Sequence, residues 1–204
     1  EIMPSLVGSE MCIRDRIKPS KRAKEIAHKT GKDEREVEVI LRESKELVRV
    51  AHVIISRTKH GFVCANAGVD RSNAPLGHVT LLPEDPDRSA RQLRRYVKRA
   101  LGVSVAVLIV DTQGRPFRRG CLGFTIGVAG MKPLMDLRGQ EDLYERKLRA
   151  TLVSPADAIA AAAVLEMGEA GEGTPLVVVR EAKYERGRGS VKDLVRRRER
   201  DLFR

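Results

Sequence analysis

Val103–Asp111 reads VSVAVLIVD, a run that is almost wholly apolar and rich in β-branched residues. Such a run is predicted to be a strand buried in a sheet, since an exposed strand would alternate apolar with polar. On its C-terminal side, Thr112–Gly120 (TQGRPFRRG) reads as a loop, followed by a Gly-flanked strand over Phe124–Ala129. On its N-terminal side lies a basic helix from about Arg88 to Leu101. Asp87 is its expected cap, and Leu93, Tyr96 and Val97 are expected to face inward.

Further upstream, Ser20 is a plausible N-cap for a helix carrying Ala23, Ile26 and Ala27, which Gly31 stops. Asp33 caps a second helix, with Val37, Ile40, Leu41, Leu47 and Val48 on its apolar face. His52–Ser56 and His60–Ala65 read as two strands around a polar turn, and Val79–Leu82 as a third. Downstream, Pro155 opens an Ala-rich helix to about Met167. A Gly-rich loop follows (Gly168–Pro175), then a strand over Leu176–Arg180 (LVVVR) and a basic tail helical over Val191–Arg200. Helices and strands mix without a regular βαβ rhythm, so the expected class is α+β, with mixed sheets and flanking helices.

The first sixteen residues, EIMPSLVGSEMCIRDR, lack the basic and apolar regions of a signal peptide. They resemble a translated sequencing-adapter segment. Residues 1–16 are therefore set aside as non-native and 17–204 taken as one domain. The longest apolar stretches, Val103–Val110 and Ala158–Leu165, are too short to span a bilayer, so a soluble, cytoplasmic protein is expected. Cys12, Cys64 and Cys121 show no CxxC spacing, which argues against a zinc site and against a disulfide framework. A net charge of +11 points to an anionic partner. With 3% aromatic residues, stacking platforms for single-stranded nucleic acid are few.

Four segments concentrate candidate chemistry. Asp70, Arg71, Ser72 and Asn73 share one loop. Asp111 and Thr112 stand where the apolar strand is expected to end, an arrangement suited to a hard cation such as Mg2+ or Mn2+; equally, Asp111 would cap a turn. Arg115, Arg118 and Arg119 form a basic loop matching phosphate or carboxylate oxygens, or simply a solvated one. The loop GEAGEGTP lets backbone N–H groups approach a ligand, although glycine after a helix also serves as a C-cap. It is no Walker A motif.

Taken in order, NAGVDRSN (66–73), LLPEDPD (81–87), VDTQGRPFRRG (110–120), IGVAGMKPLMDLRGQEDLY (126–144) and AAAAVLEMGEAGEGTP (160–175) resemble the coenzyme F-420-0:gamma-glutamyl ligase family. LRESKELVRV (41–50) and the closing DLFR (201–204) fit as well. The resemblance implies a two-lobed fold in an intertwined dimer. It also implies a GTP-dependent ligase that joins L-glutamate to the lactyl carboxylate of coenzyme F-420-0, and then further γ-linked glutamates, through an acyl phosphate. It implies two divalent ions, Mg2+ or Mn2+, with K+ a further candidate.

Residue by residue, the resemblance makes Asp70 and Asp111 metal ligands, with Thr112 on the second ion, and makes Asn73 a nucleotide contact. Met167, Gly168, Glu169, Ala170, Gly171, Glu172, Gly173 and Thr174 match its nucleotide-contacting loop, and Glu169 also falls on a metal position. Arg115 is the expected phosphate or carboxylate clamp. Three positions depart from the pattern: Glu145 and Glu181 stand where glycine is usual, and Ala158 where an acid is usual. The family's N-terminal nucleotide-contacting segment has no counterpart. Two other readings stay open: an inactive fragment of the ligase, and a nucleic-acid-binding protein using the basic tail.

Overall fold

The structure, a computed structural model, describes residues 10–13 as backbone and residues 16–201 in full. The rest of Glu1–Arg16 and the last three residues of DLFR lie outside the described residues. The fold is α+β, with small sheets and flanking helices. The chain divides into two compact units. The first takes the chain up to Asp85, with Gln113–Cys121 and Gly168–Pro175; the second takes Pro86–Thr112, Leu122–Met167 and Leu176 onward.

In the first unit, Ser20 caps α1 (Lys21–Thr30) by accepting the Ala23 N–H, and Gly31 ends it in the left-handed conformation. Asp33 caps α2 (Glu34–Glu43) through the Arg35 N–H at 2.8 Å. The two helices are tied by Ser20, whose hydroxyl and backbone N–H donate to Glu38. Together with Arg42 these hold the Glu38 carboxyl below the usual carboxylate range.

Helix α2 is shorter than its apolar pattern suggested. The Ser44 hydroxyl turns back onto the Ile40 carbonyl at 2.6 Å, and Leu47 and Val48 belong to β2 (Ser44–Val50). The β-branched LVRV segment pairs here instead of continuing the helix. Strands β2, β3 (Ile54–Thr58) and β4 (Val63–Ala65) form an antiparallel sheet. β1 (Glu10–Ile13) pairs antiparallel with β5 (His78–Leu81), with Glu10 opposite Leu81 and Ile13 opposite His78. Ala23, Ile26, Val37, Ile40, Ile54 and Val79 make the core of this unit.

In the second unit, α3 spans Pro86–Leu101. Asp87 is not its cap. It lies inside the first turn, buried, with its carboxylate bonded to distant residues. Leu93 and Val97 are half-buried as expected, whereas Tyr96 is exposed. The apolar run at 103–111 also shifts. Its first residues precede β6 (Val107–Arg115), which is half-buried and, among the described residues, pairs only with β7 (Arg118–Ala129). The expected loop at 112–120 is thus mostly strand, turning at Pro116 and Phe117. Asymmetric coverage of a two-stranded ribbon leaves its apolar residues half-buried. β8 (Met135–Asp136) and β9 (Leu152–Val153) pair antiparallel.

Ser154 accepts the Asp157 N–H and Pro155 occupies the first turn of α4 (Pro155–Met167). Leu176–Arg180 is not a strand: it pairs with none among the described residues, and β structure exists only by pairing. The tail forms two 3-10 turns, Val191–Leu194 and Arg198–Arg200, instead of one α-helix. Like charges spaced three and four apart over 196–200 disfavour the longer helix. Val128, Met131 and Ala156 centre the core of this unit.

Two substitutions test this packing. A Cβ added at Gly127 of β7 would sit 2.4 Å from the Pro86 carbonyl oxygen at the start of α3. Gly127→Ala is expected to destabilise by about 1–3 kcal/mol, read from the denaturant midpoint. Glu145 and Glu181 hold left-handed φ of 61° and 59°, the conformation for which glycine is the ordinary choice. Glu145→Gly should therefore raise stability by about 0.5–1 kcal/mol in the same measurement.

Candidate active site

The first unit gathers two motif loops. Asn66, Ala67 and Gly68 all have left-handed φ, at 52°, 55° and 73°. A non-glycine residue in this region is held only by surrounding structure, and such strain clusters at functional sites. Ala67 is buried, and the buried Asn66 Oδ1 has no hydrogen-bond partner. The strained turn delivers the chain to Asp70, whose backbone exchanges two hydrogen bonds with Thr80, at 3.1 and 2.8 Å.

The Asp70 carboxylate is exposed and locally oriented. Oδ1 accepts the N–H groups of Arg71 at 2.7 Å and Ser72 at 3.1 Å, and the Ser72 hydroxyl donates to Oδ2. Asn73, itself left-handed, donates its side-chain amide to the Ala170 carbonyl at 3.1 Å. That bond joins the 70–73 loop to the glycine-rich loop.

Glu172 shapes the glycine-rich loop. Its Oε2 accepts the Ala170 N–H at 2.8 Å, and its Cδ would lie 2.3 Å from a Cβ on residue 168. Gly168 is thus the residue that lets Glu172 fold back on the loop. Glu169, Ala170, Gly171, Gly173 and Thr174 are exposed, and Met167 ends α4 in the second unit. Arg115 is half-buried at the end of β6 and donates to the Gly120 carbonyl at 3.3 Å, closing the hairpin tip.

Asp111 and Thr112 lie in the second unit, half-buried within β6 and not at its end. As consecutive strand residues they face opposite sides of the ribbon. The candidate ligands are all oxygen donors, the set a hard cation takes. Mg2+ commonly uses only one or two protein carboxylates beside water and phosphate. Among the described residues, no three His, Cys, Asp or Glu side chains form a ready cage. Sequence reading missed two features: Asn66, whose signal is its orphaned buried oxygen, and the clasp role of Glu172, which only three-dimensional contact reveals.

Comparison with known proteins matches residues 8–181 to the family model described as "F420-0:Gamma-glutamyl ligase". The chain is 53% identical to the coenzyme F420:L-glutamate ligase of Methanopyrus kandleri, over 93% of this chain and 77% of that protein. It is 52% identical to the protein of the same name from Methanothermobacter thermautotrophicus, with the same shares covered. For that of Methanocaldococcus jannaschii the identity is 50%, over 94% of this chain and 77% of that protein. The matched span takes in both loops that Asn73 joins, and at this identity the chain belongs to the F420-0:gamma-glutamyl ligase family.

Proposed function

We propose that this chain is a ligase that joins L-glutamate to the lactyl carboxylate of coenzyme F-420-0, with GTP converted to GDP and phosphate. The observation that carries this reading is the Asn73–Ala170 bond. It holds together two motif loops far apart in sequence, in a chain whose relatives are named coenzyme F420:L-glutamate ligase.

The chemistry follows from the poor reactivity of a carboxylate. A carboxylate oxygen attacks the γ-phosphorus of GTP and GDP leaves, giving an acyl phosphate. The glutamate amine then attacks the acyl carbon, phosphate leaves, and the amine gives up a proton. Repetition on the new γ-carboxylate adds further glutamates. In phosphoryl transfer the protein contributes chiefly position and electrostatics. Asn73 and Glu172 hold the glycine-rich loop so that its N–H groups are displayed to a phosphate chain. Asp70 holds a fixed negative charge beside it. A bound Mg2+ or Mn2+ would neutralise triphosphate charge. Its candidate holders are Asp70 and Glu169 in the first unit and, for the second unit considered by itself, Asp111 and Thr112. K+ is a further candidate ion. Arg115, bonded to Gly120, keeps further N–H donors for a phosphate or carboxylate.

Action as a cytoplasmic homodimer is part of the same proposal. Among the described residues no helix is long and apolar enough to cross a membrane. The tail that motivated a nucleic-acid-binding reading is two short turns, not a continuous basic helix.

Calorimetric titration of GTP and GDP, with and without Mn2+, tests the proposal. Tight nucleotide binding that requires Mn2+ is expected. Asn73→Ala should weaken it about tenfold, roughly 1.4 kcal/mol, because the loop loses its tether. Absence of nucleotide binding under all conditions would sink the GTP reading for this chain.

A further inference from the structure

Glu36 lies outside every motif loop. It sits on the buried face of α2 beside Val37 and Ile40, and only 4% of it is exposed. A carboxylate so placed must find cationic or hydrogen-bonding partners, because burial without them costs several kcal/mol. Two are present. Lys32, four residues earlier and just before the helix begins, approaches Oε1 at 3.5 Å, and Arg71 Nη1 approaches Oε2 at 3.4 Å. Arg71 is the residue that follows Asp70, and its own N–H donates to the Asp70 carboxylate at 2.7 Å.

We propose that Glu36 is a positioning residue for Asp70, acting through Arg71. The backbone of Asp70 is set by its pairing with Thr80. The direction of its carboxylate is set instead by the N–H groups of residues 71 and 72 and by the Ser72 hydroxyl. Those groups belong to an exposed loop. The link between residue 71 and the core is the arm of Arg71, reaching from a 60% exposed side chain to a buried carboxylate. Lys32 already supplies a neutralising charge, so the added consequence of the Arg71 contact is where it pins the loop. The functional weight of this device rests on the ligase reading; the device itself does not.

The test is amide hydrogen exchange on the unliganded chain, comparing wild type with Glu36→Gln, Arg71→Met and Arg71→Lys. Glu36→Gln keeps the shape of the buried side chain, and Arg71→Met changes a mostly exposed one, so both are expected to fold. Each should accelerate exchange at the Arg71 and Ser72 amides about tenfold, with α2 and β5 amides changed less than about twofold. Arg71→Lys should restore most of the protection. Unchanged exchange at those two amides overturns the proposal. So does acceleration spread evenly over α2 and β5, which reports only lost global stability. No nucleotide enters this measurement, so it stands even if the ligase reading fails. Where wild-type turnover is measurable, Glu36→Gln should lower kcat about tenfold with KM for GTP within about twofold; an unchanged kcat overturns the role in catalysis.

Discussion

Asp70→Asn is expected to lower ligase turnover by at least about a hundredfold, roughly 2.7 kcal/mol of transition-state stabilisation, while the protein stays folded. The substitution is chosen for what it keeps. An asparagine Oδ1 still accepts the N–H groups of Arg71 and Ser72, so the turn that follows residue 70 survives. The backbone pairing with Thr80 does not involve the side chain at all. Lost are the negative charge and the second acceptor oxygen, toward which the Ser72 hydroxyl points. If that charge holds a cation against the triphosphate, turnover must collapse, since phosphoryl transfer relies on electrostatic neutralisation. The site is exposed, so the thermal midpoint should shift little, within about 0.5 kcal/mol. The checks are GDP release in the presence of F-420-0 and L-glutamate, and a melting curve on the same sample. Turnover near wild type would remove Asp70 from the chemistry and leave it as a turn residue.

Legibility in the sequence followed the range of each interaction. Ser20, Gly31 and Asp33 act on neighbours within a turn, and their roles as helix ends are read directly from local chemistry. The start of α4 at Pro155 is equally local. Leu47 and Val48 satisfied helical spacing yet lie in a strand that pairs in a sheet, because the gain from cross-strand bonds is invisible to periodicity. Leu176–Arg180 has strand composition but no paired neighbour among the described residues, so composition alone misled. The candidate site shows the same division. The motif loops were conspicuous as words, and their resemblance named the family. That Asn73 meets Ala170, 97 positions away, or that Arg71 meets Glu36, 35 positions away, is a product of folding that no local pattern encodes.

Asp87 shows how far such a long-range interaction can outweigh a local one. At the start of a basic helix it reads as a cap, a role whose loss costs about 1 kcal/mol. Its carboxylate instead accepts the Val128 N–H at 2.8 Å, the Ser190 hydroxyl at 2.7 Å and the Val191 N–H at 3.2 Å, and the residue is buried. Asp87→Ala strands two buried N–H groups and a hydroxyl, each costing about 1–3 kcal/mol when unsatisfied, so a loss of about 3–5 kcal/mol is expected. Against a total of about 5–15 kcal/mol, that removes about a fifth or more of the stability. Asp87→Asn keeps one acceptor but turns an NH2 toward a donor, and should fall between alanine and wild type.

Asp136 is the control. Arg138 donates to its carboxylate from side chain and backbone and holds its pKa at about 2. With the folded pKa depressed, any stabilisation is present above the ordinary carboxylate range and is lost as pH falls through about 2. That pair is exposed to solvent, and screening removes most of its worth. Asp136→Ala should therefore leave the urea midpoint nearly where it was at neutral pH, while Asp87→Ala moves it far. Equal shifts for the two would mean that the Val128 and Val191 amides find water when Asp87 is removed. Burial would then no longer be what makes that carboxylate matter.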